Sequence, residues 1–102
     1  MKILLATDGS EYSETATKFL TRLNLSADDE ITILHVISED PFDDKADYYY
    51  SRINKIKQLI APRILESAMN VLKSTPAKIN AELMNGYPDK AIVNAAVESN
   101  AD

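Results

Sequence analysis

The stretch KILLATDGSEYSETA, residues 2–16, decides how the rest of the chain is read. Residues 3–7 form a run without polar alternation, the pattern of a strand covered on both faces. Asp8-Gly9-Ser10 ends that run. Ala16, Phe19, Leu20 and Leu23 then recur at helical spacing, which predicts an amphipathic helix capped by Ser10 or Ser13. This junction has two physical readings. In one, Gly9 lets the backbone pass close to a nucleotide, Asp8 accepts a hydrogen bond from its ribose or base, and the helix N-terminus adds a positive dipole. In the other, Asp8-Gly9 is a tight turn and the serines only cap a helix. Spacing alone does not separate them.

Working outward, residues 24–30 are a polar connection, and Ile31-Thr32-Ile33-Leu34-His35-Val36-Ile37 reads as a second buried strand. A β-α-β order favours a parallel sheet with a right-handed crossover. Residues 38–47 are acidic, contain Pro41 and read as a loop. Ile53, Ile56, Ile60, Ile64, Ala68, Val71 and Leu72 mark a long helical face. Pro62 lies within it and predicts a bend or a division into two helices. From residue 78 to 84, Ile79, Ala81 and Leu83 alternate with polar residues, as expected of a strand near a sheet edge. Gly86-Tyr87-Pro88 turns the chain into a third helix carrying Ala91, Ile92, Ala95 and Ala96. The expected fold is an open α/β sheet, in which ligands sit beyond the carboxyl ends of the strands.

Composition narrows the chemistry. The 102 residues make one small domain, with 45% apolar and 26% charged residues. There is no cysteine, so disulfides, thiolate metal sites and thiol catalysis are excluded. A net charge of −5 and the lack of a basic stripe argue against nucleic acid or an anionic membrane as partner. With no signal-peptide pattern and no apolar stretch of ~18 residues, the expected compartment is the cytoplasm. Neither G-x-G-x-x-G nor the P-loop motif is present. A receiver-type phosphoacceptor pocket needs an aspartate at the end of the third strand, where this chain has Met84-Asn85-Gly86. His35, alone in an apolar strand, reads as a hydrogen-bonded core residue. Tyr48-Tyr49-Tyr50 reads as cover for a core edge or a subunit surface rather than a stacking platform. Asp40, Asp43, Asp44 and Asp47 read as a solvated charge run.

Three blocks in order, KILLATDGSEYSETA, ITILHVI at 31–37 and MNGYPDKAIVNAAVESNAD at 84–102, resemble the universal stress protein family over essentially the whole chain. The resemblance implies an open parallel α/β sheet of the adenine nucleotide alpha hydrolase-like type, strand order 3-2-1-4-5, and homodimerisation or other self-association. It implies an adenine nucleotide as ligand, ATP or AMP, with Mg accompanying ATP. By position, Ala6, Thr7 and Asp8 match the family's contacts to adenine and ribose, Val36 a backbone contact to the base, and Gly86 lies near the same crevice. The family's strands 4 and 5 and its G-x2-G-x9-G-[S/T] phosphate loop have no counterpart in residues 1–102. The expectation is therefore a single domain lacking its C-terminal portion, truncated, cleaved or complemented by another chain, and carrying the base-and-ribose half of a site. With no nucleophile–base pair, the expected role is a stress-response or signalling module rather than an enzyme. The alternative is a protein-interaction module of the same fold that binds no nucleotide.

Overall fold

Ile31, Ile33 and Leu34 are fully buried, and the β-branched run that contains them is the middle of the sheet. The computed structural model describes residues 1–38, 48–86, 88–98 and 101. Its elements are β1 (Lys2–Ala6), α1 (Glu11–Leu20), β2 (Glu30–Ser38), α2 (Tyr48–Leu72), β3 (Lys78–Gly86) and α3 (Pro88–Glu98). All strand pairs are parallel and the order is β1-β2-β3. Register places Ile3, Ile31 and Ile79 side by side, and Leu5 beside Ile33 and Ala81. Because side chains alternate across a strand, these rows share one face. There Leu5, Ile31 and Ile33 pack with Leu20 of α1, Leu25, Ala68 and Leu72 of α2, and Ala77. On the opposite face, Leu34 and Val36 share a cavity lining with Ile92 of α3.

Several expectations are corrected by the packing. β1 is less buried than a strand covered on both faces: only Leu5 is buried, and Ile3 and Leu4 are half-buried, because β2 pairs along one edge and the other edge has no strand partner among the described residues. In α1 the buried residues are Thr17 and Leu20, whereas Ala16, Phe19 and Leu23 are exposed. The physical reason is tertiary packing: Ser10 caps the helix, its side chain accepting from the Ser13 N–H, and the helix lies with Leu20 against Ala68 and Leu72 of α2, which brings Thr17 inward with it. Leu23 lies past the C-cap, Thr21.

α2 runs through Pro62 as one element of 25 residues. The proline is exposed, so the carbonyl left without its helical partner can be hydrated, while Ala61, Ala68 and Leu72 on the other side stay buried. The expected apolar face holds only in the second half of the helix. Ile56 and Ile60 are exposed at 52% and 45%, since a helix of this length, at ~1.5 Å per residue, outruns a nine-residue strand. β3 is an edge strand, with Ile79 half-buried and Ala81 and Leu83 exposed. α3 starts at Pro88 and buries Ala91 and Ala95, as its pattern predicts. The acidic loop reading for Asp40, Asp43, Asp44 and Asp47 lies outside the described residues.

Candidate functional site

Hydrogen bonding at the end of β1 makes the junction a rigid device. The Thr7 N–H continues the β1–β2 ladder by donating to the Leu34 carbonyl at 2.9 Å. The chain then reverses at Gly9, whose φ of +81° lies in the left-handed region that a glycine adopts without steric cost. A Cβ there would sit 3.1 Å from Ile64 Cγ1 of α2, so glycine also permits the close approach of helix and turn. Just before it, Asp8 Oδ1 accepts from the Ser10 N–H at 2.8 Å and from the Ser13 hydroxyl at 2.7 Å. The Asp8 N–H in turn donates to Ser13 Oγ at 3.2 Å.

These bonds hold the carboxylate in one place and one charge state. The Ser10 and Ser13 hydroxyls, with the Ser10 amide, lower the Asp8 pKa from 3.8 to about 2. The side chain remains exposed to solvent, and a carboxylate has more acceptor positions than these donors use. Acceptor capacity is left for a ligand.

Two cavities flank this carboxylate at the carboxyl end of the sheet. One, of about 290 Å³, lies on the α3 side and is lined by Ala6, Thr7, Asp8, Ser13, Val36 and Ile92 among others. The other, of about 310 Å³, lies toward α2, with Asp8, His35, Val36, Lys57, Ile60 and Ile64 in its walls. Asp8 and Val36 border both. The overhanging first half of α2 supplies Lys57 and Ile60, which explains why apolar residues there need not meet the sheet. A further cavity of about 310 Å³ lies between α1 and α2, behind Gly9 and Ser10, and includes Arg63 and Ser67.

The fold thus brings together Ala6, Thr7, Asp8 and Val36. Gly86 stands at the end of β3 opposite Ser38, and it lines neither flanking cavity. The sequence marks Ser13 only as a candidate cap, and the structure makes it the residue that orients Asp8. The Asp8/Ser10/Ser13 spacing carries that signal, since a hydroxyl one turn into the helix can face back to the residue two before the cap. Lys57 and Ile92 have no sequence signal, because only tertiary packing brings them to the site.

A sequence profile described as the universal stress protein family matches residues 1–102. The chain belongs to the universal stress protein family. Among curated relatives, universal stress protein MJ0531 of Methanocaldococcus jannaschii is 26% identical over 102 residues; the match covers 99% of this chain and 60% of MJ0531. The chain therefore spans about three-fifths of the length of that universal stress protein. Among solved structures, hypothetical protein MJ0577, the subject of a structure-based assignment of biochemical function, superposes with a TM-score of 0.80 at 26% identity. That superposition covers 99% of this chain and 69% of MJ0577. Universal stress protein UspA from Lactobacillus plantarum superposes with a TM-score of 0.76 at 19% identity, over 98% of this chain and 70% of its own, and supports the fold alone.

Proposed function

We propose that this universal stress protein chain is an adenine-nucleotide-binding module of a stress-response or signalling pathway in the cytoplasm, acting by binding rather than by turnover. The observation that carries the reading is the fixed Asp8 carboxylate, ionised and still able to accept, on the rim shared by two cavities at the carboxyl ends of parallel strands. An acceptor at that position suits ribose hydroxyls. Val36, Ile60 and Ile64 supply apolar walls for a base, and the volume of about 310 Å³ falls at the small end of ligand pockets. Ala6 and Thr7, which line the α3-side cavity with Asp8, are assigned to the ribose, and Gly86 keeps the place near the crevice that the family resemblance gives it. Among the described residues no group of three or more His, Asp or Glu side chains is placed to hold a metal, so Mg would accompany ATP through its phosphates.

Calorimetric titration with AMP and ATP tests the reading. The wild-type chain should bind, and Asp8→Ala should weaken binding at least about tenfold, the scale of a lost charge-assisted hydrogen bond. Unchanged affinity in Asp8→Ala would remove the role of the carboxylate.

A second reading has its own observation. Tyr12, Ala16 and Phe19 lie on one side of α1, with Tyr12 89% and Phe19 60% exposed. Such a stripe suits self-association or another protein surface. Sedimentation of wild type and Phe19→Glu decides it: a wild-type dimer that dissociates in the variant supports an interaction surface on α1, and identical monomers oppose it.

A further inference from the structure

The cavity of about 310 Å³ between α1 and α2 has a floor whose polar groups are satisfied and a rim whose polar groups are not. Residues 63, 64, 67, 68 and 71 form its α2 wall, and residues 10, 14 and 17 its α1 wall, so each wall is one continuous helix face. Thr7, Thr17 and Ala68 are buried and make the floor. Both floor hydroxyls are engaged within the chain: Thr17 Oγ1 donates to the Ser13 carbonyl at 2.8 Å, and Thr7 Oγ1 accepts from the Gly9 N–H. Half-buried Ile64 and Val71 continue the apolar lining toward solvent. Arg63 and Ser67, one turn apart on α2, are exposed at the rim, and neither side chain has an ion pair or hydrogen bond among the described residues. Glu14, the carboxylate on the opposite wall, is held instead by Lys18 at 3.1 Å.

We propose that this cavity binds a small monocarboxylate with an aliphatic body, the body lying on Ile64, Ala68 and Val71 and the carboxylate accepting from the Arg63 guanidinium and the Ser67 hydroxyl. The charge at the rim fixes the class. Glu14 and Lys18 offset one another, so the rim presents one net positive charge, that of Arg63. A single planar fork of N–H donors matches a single carboxylate. A phosphate dianion would keep one charge unpaired beside Glu14, and a neutral ligand would gain nothing from the cation. The apolar lining does the rest, because removing an aliphatic chain from water is favourable without any polar partner. This site stands apart from the nucleotide reading. Of its lining only Thr7 and Ile64 recur in the two cavities beside Asp8, and neither carries charge.

Hexanoate is the probe, with hexanamide as its uncharged counterpart. Titration of the chain followed by amide NMR should show saturable shifts at Gly9, Thr17, Ser67 and Ala68 at millimolar hexanoate, with His35, Val36 and Ile37 unmoved. Hexanamide should bind at least about tenfold more weakly, the scale of a lost charge-assisted hydrogen bond. Arg63→Gln should weaken hexanoate by a similar factor and Ser67→Ala by less. Arg63→Lys keeps the charge without the fork and should fall between Arg63→Gln and wild type. Both positions are exposed, so the variants should melt like wild type and lost binding is not lost fold. The assignment is overturned if hexanoate gives no saturable shift at these amides or shifts His35, Val36 and Ile37 instead. It is overturned equally if hexanamide binds as well as hexanoate, or if Arg63→Gln binds hexanoate like wild type. A parallel AMP titration reads the nucleotide site separately, so either reading can fail while the other stands.

Discussion

The two ends of the sheet are built for different purposes. At the amino end the chain closes on itself. The N-terminal ammonium pairs with Asp29 at 2.9 Å, the Glu30 N–H donates to the Met1 carbonyl, and the Lys78 N–H donates to the Asp29 carbonyl. Leu20, Leu25, Leu72 and Ala77, from the ends of α1 and α2 and the segments that follow them, meet Ile31 in a continuous core. At the carboxyl end the strands open into two cavities. Apolar residues of α2 stand there partly in solvent, and the polar groups include Asp8, His35 and Lys57. Stability is concentrated at one end so that the other can stay concave, and at that open end Gly9 lets the β1–α1 turn lie close to Ile64 of α2.

The largest expected effect breaks the amino end. Leu72 is completely buried, and Leu72→Ala removes its methyl groups and leaves a cavity, a change that costs about 3 to 4 kcal/mol. That is a large fraction of the ~5–15 kcal/mol that holds a small domain together. The denaturant midpoint should fall steeply. Ile60→Ala, the same kind of truncation at the carboxyl end, should cost no more than about 1 kcal/mol, since the side chain is 45% exposed. Equal costs at the two positions would erase the distinction.

Next in size is the turn at the carboxyl end of β1. Gly9→Ala forces a side chain into a positive φ and presses it on Ile64, which together should cost about 1 to 2 kcal/mol. Because the strain falls on the residue after Asp8, nucleotide affinity should drop as well. A stability loss without an affinity loss would mean that the turn and the carboxylate are independent.

A smaller effect belongs to Ser13. Ser13→Ala deletes the hydroxyl that donates to Asp8 Oδ1 and accepts from the Asp8 N–H, at a cost of about 0.5 to 1.5 kcal/mol. The Asp8 pKa should move back toward its ordinary value, and AMP binding should weaken several-fold while the core is untouched. An Asp8 titration identical to wild type would show that Ser10 alone orients the carboxylate.

How far the sequence shows these ends depends on whether a residue acts locally. The strands, the crossover order and the edge position of β3 are legible because β-branched runs, polar connections and the alternation of residues 78–84 act over short range. Asp8-Gly9-Ser10 is legible as a junction for the same reason. The burial of α1 is not: Ala16, Phe19 and Leu23 have the spacing of a core stripe, yet packing against α2 buries Thr17 and Leu20 instead. The α2 face misleads in its first half, since periodicity reports amphipathicity and cannot report where a long helix runs past the sheet. His35 reads as a core histidine and is hydrogen-bonded as expected, but its partner, the Thr7 carbonyl, is 28 residues away and becomes visible only when the register of β1 and β2 is known.

The smallest effect separates the ends by acid. Asp8 and Asp29 both have lowered pKa values, Asp8 through the Ser10 and Ser13 bonds and Asp29 chiefly through the N-terminal ammonium. For a carboxylate depressed in the folded state, the stabilisation is fully present above the unfolded pKa and disappears as pH falls through the folded one. For Asp8 that window runs from 3.8 down to about 2. Both groups are at the surface, where solvent screening keeps such contributions small. Thermal unfolding followed from mildly acidic pH down through that window should therefore show a modest acid loss, made shallower by Asp8→Asn and by Asp29→Asn alike. Ligand binding at neutral pH tells them apart: Asp29→Asn should leave AMP affinity at its wild-type value, and Asp8→Asn should reduce it. If both variants bound AMP like wild type, Asp8 would be a structural carboxylate like Asp29, and the carboxyl end would lose the polar group on which its functional reading rests.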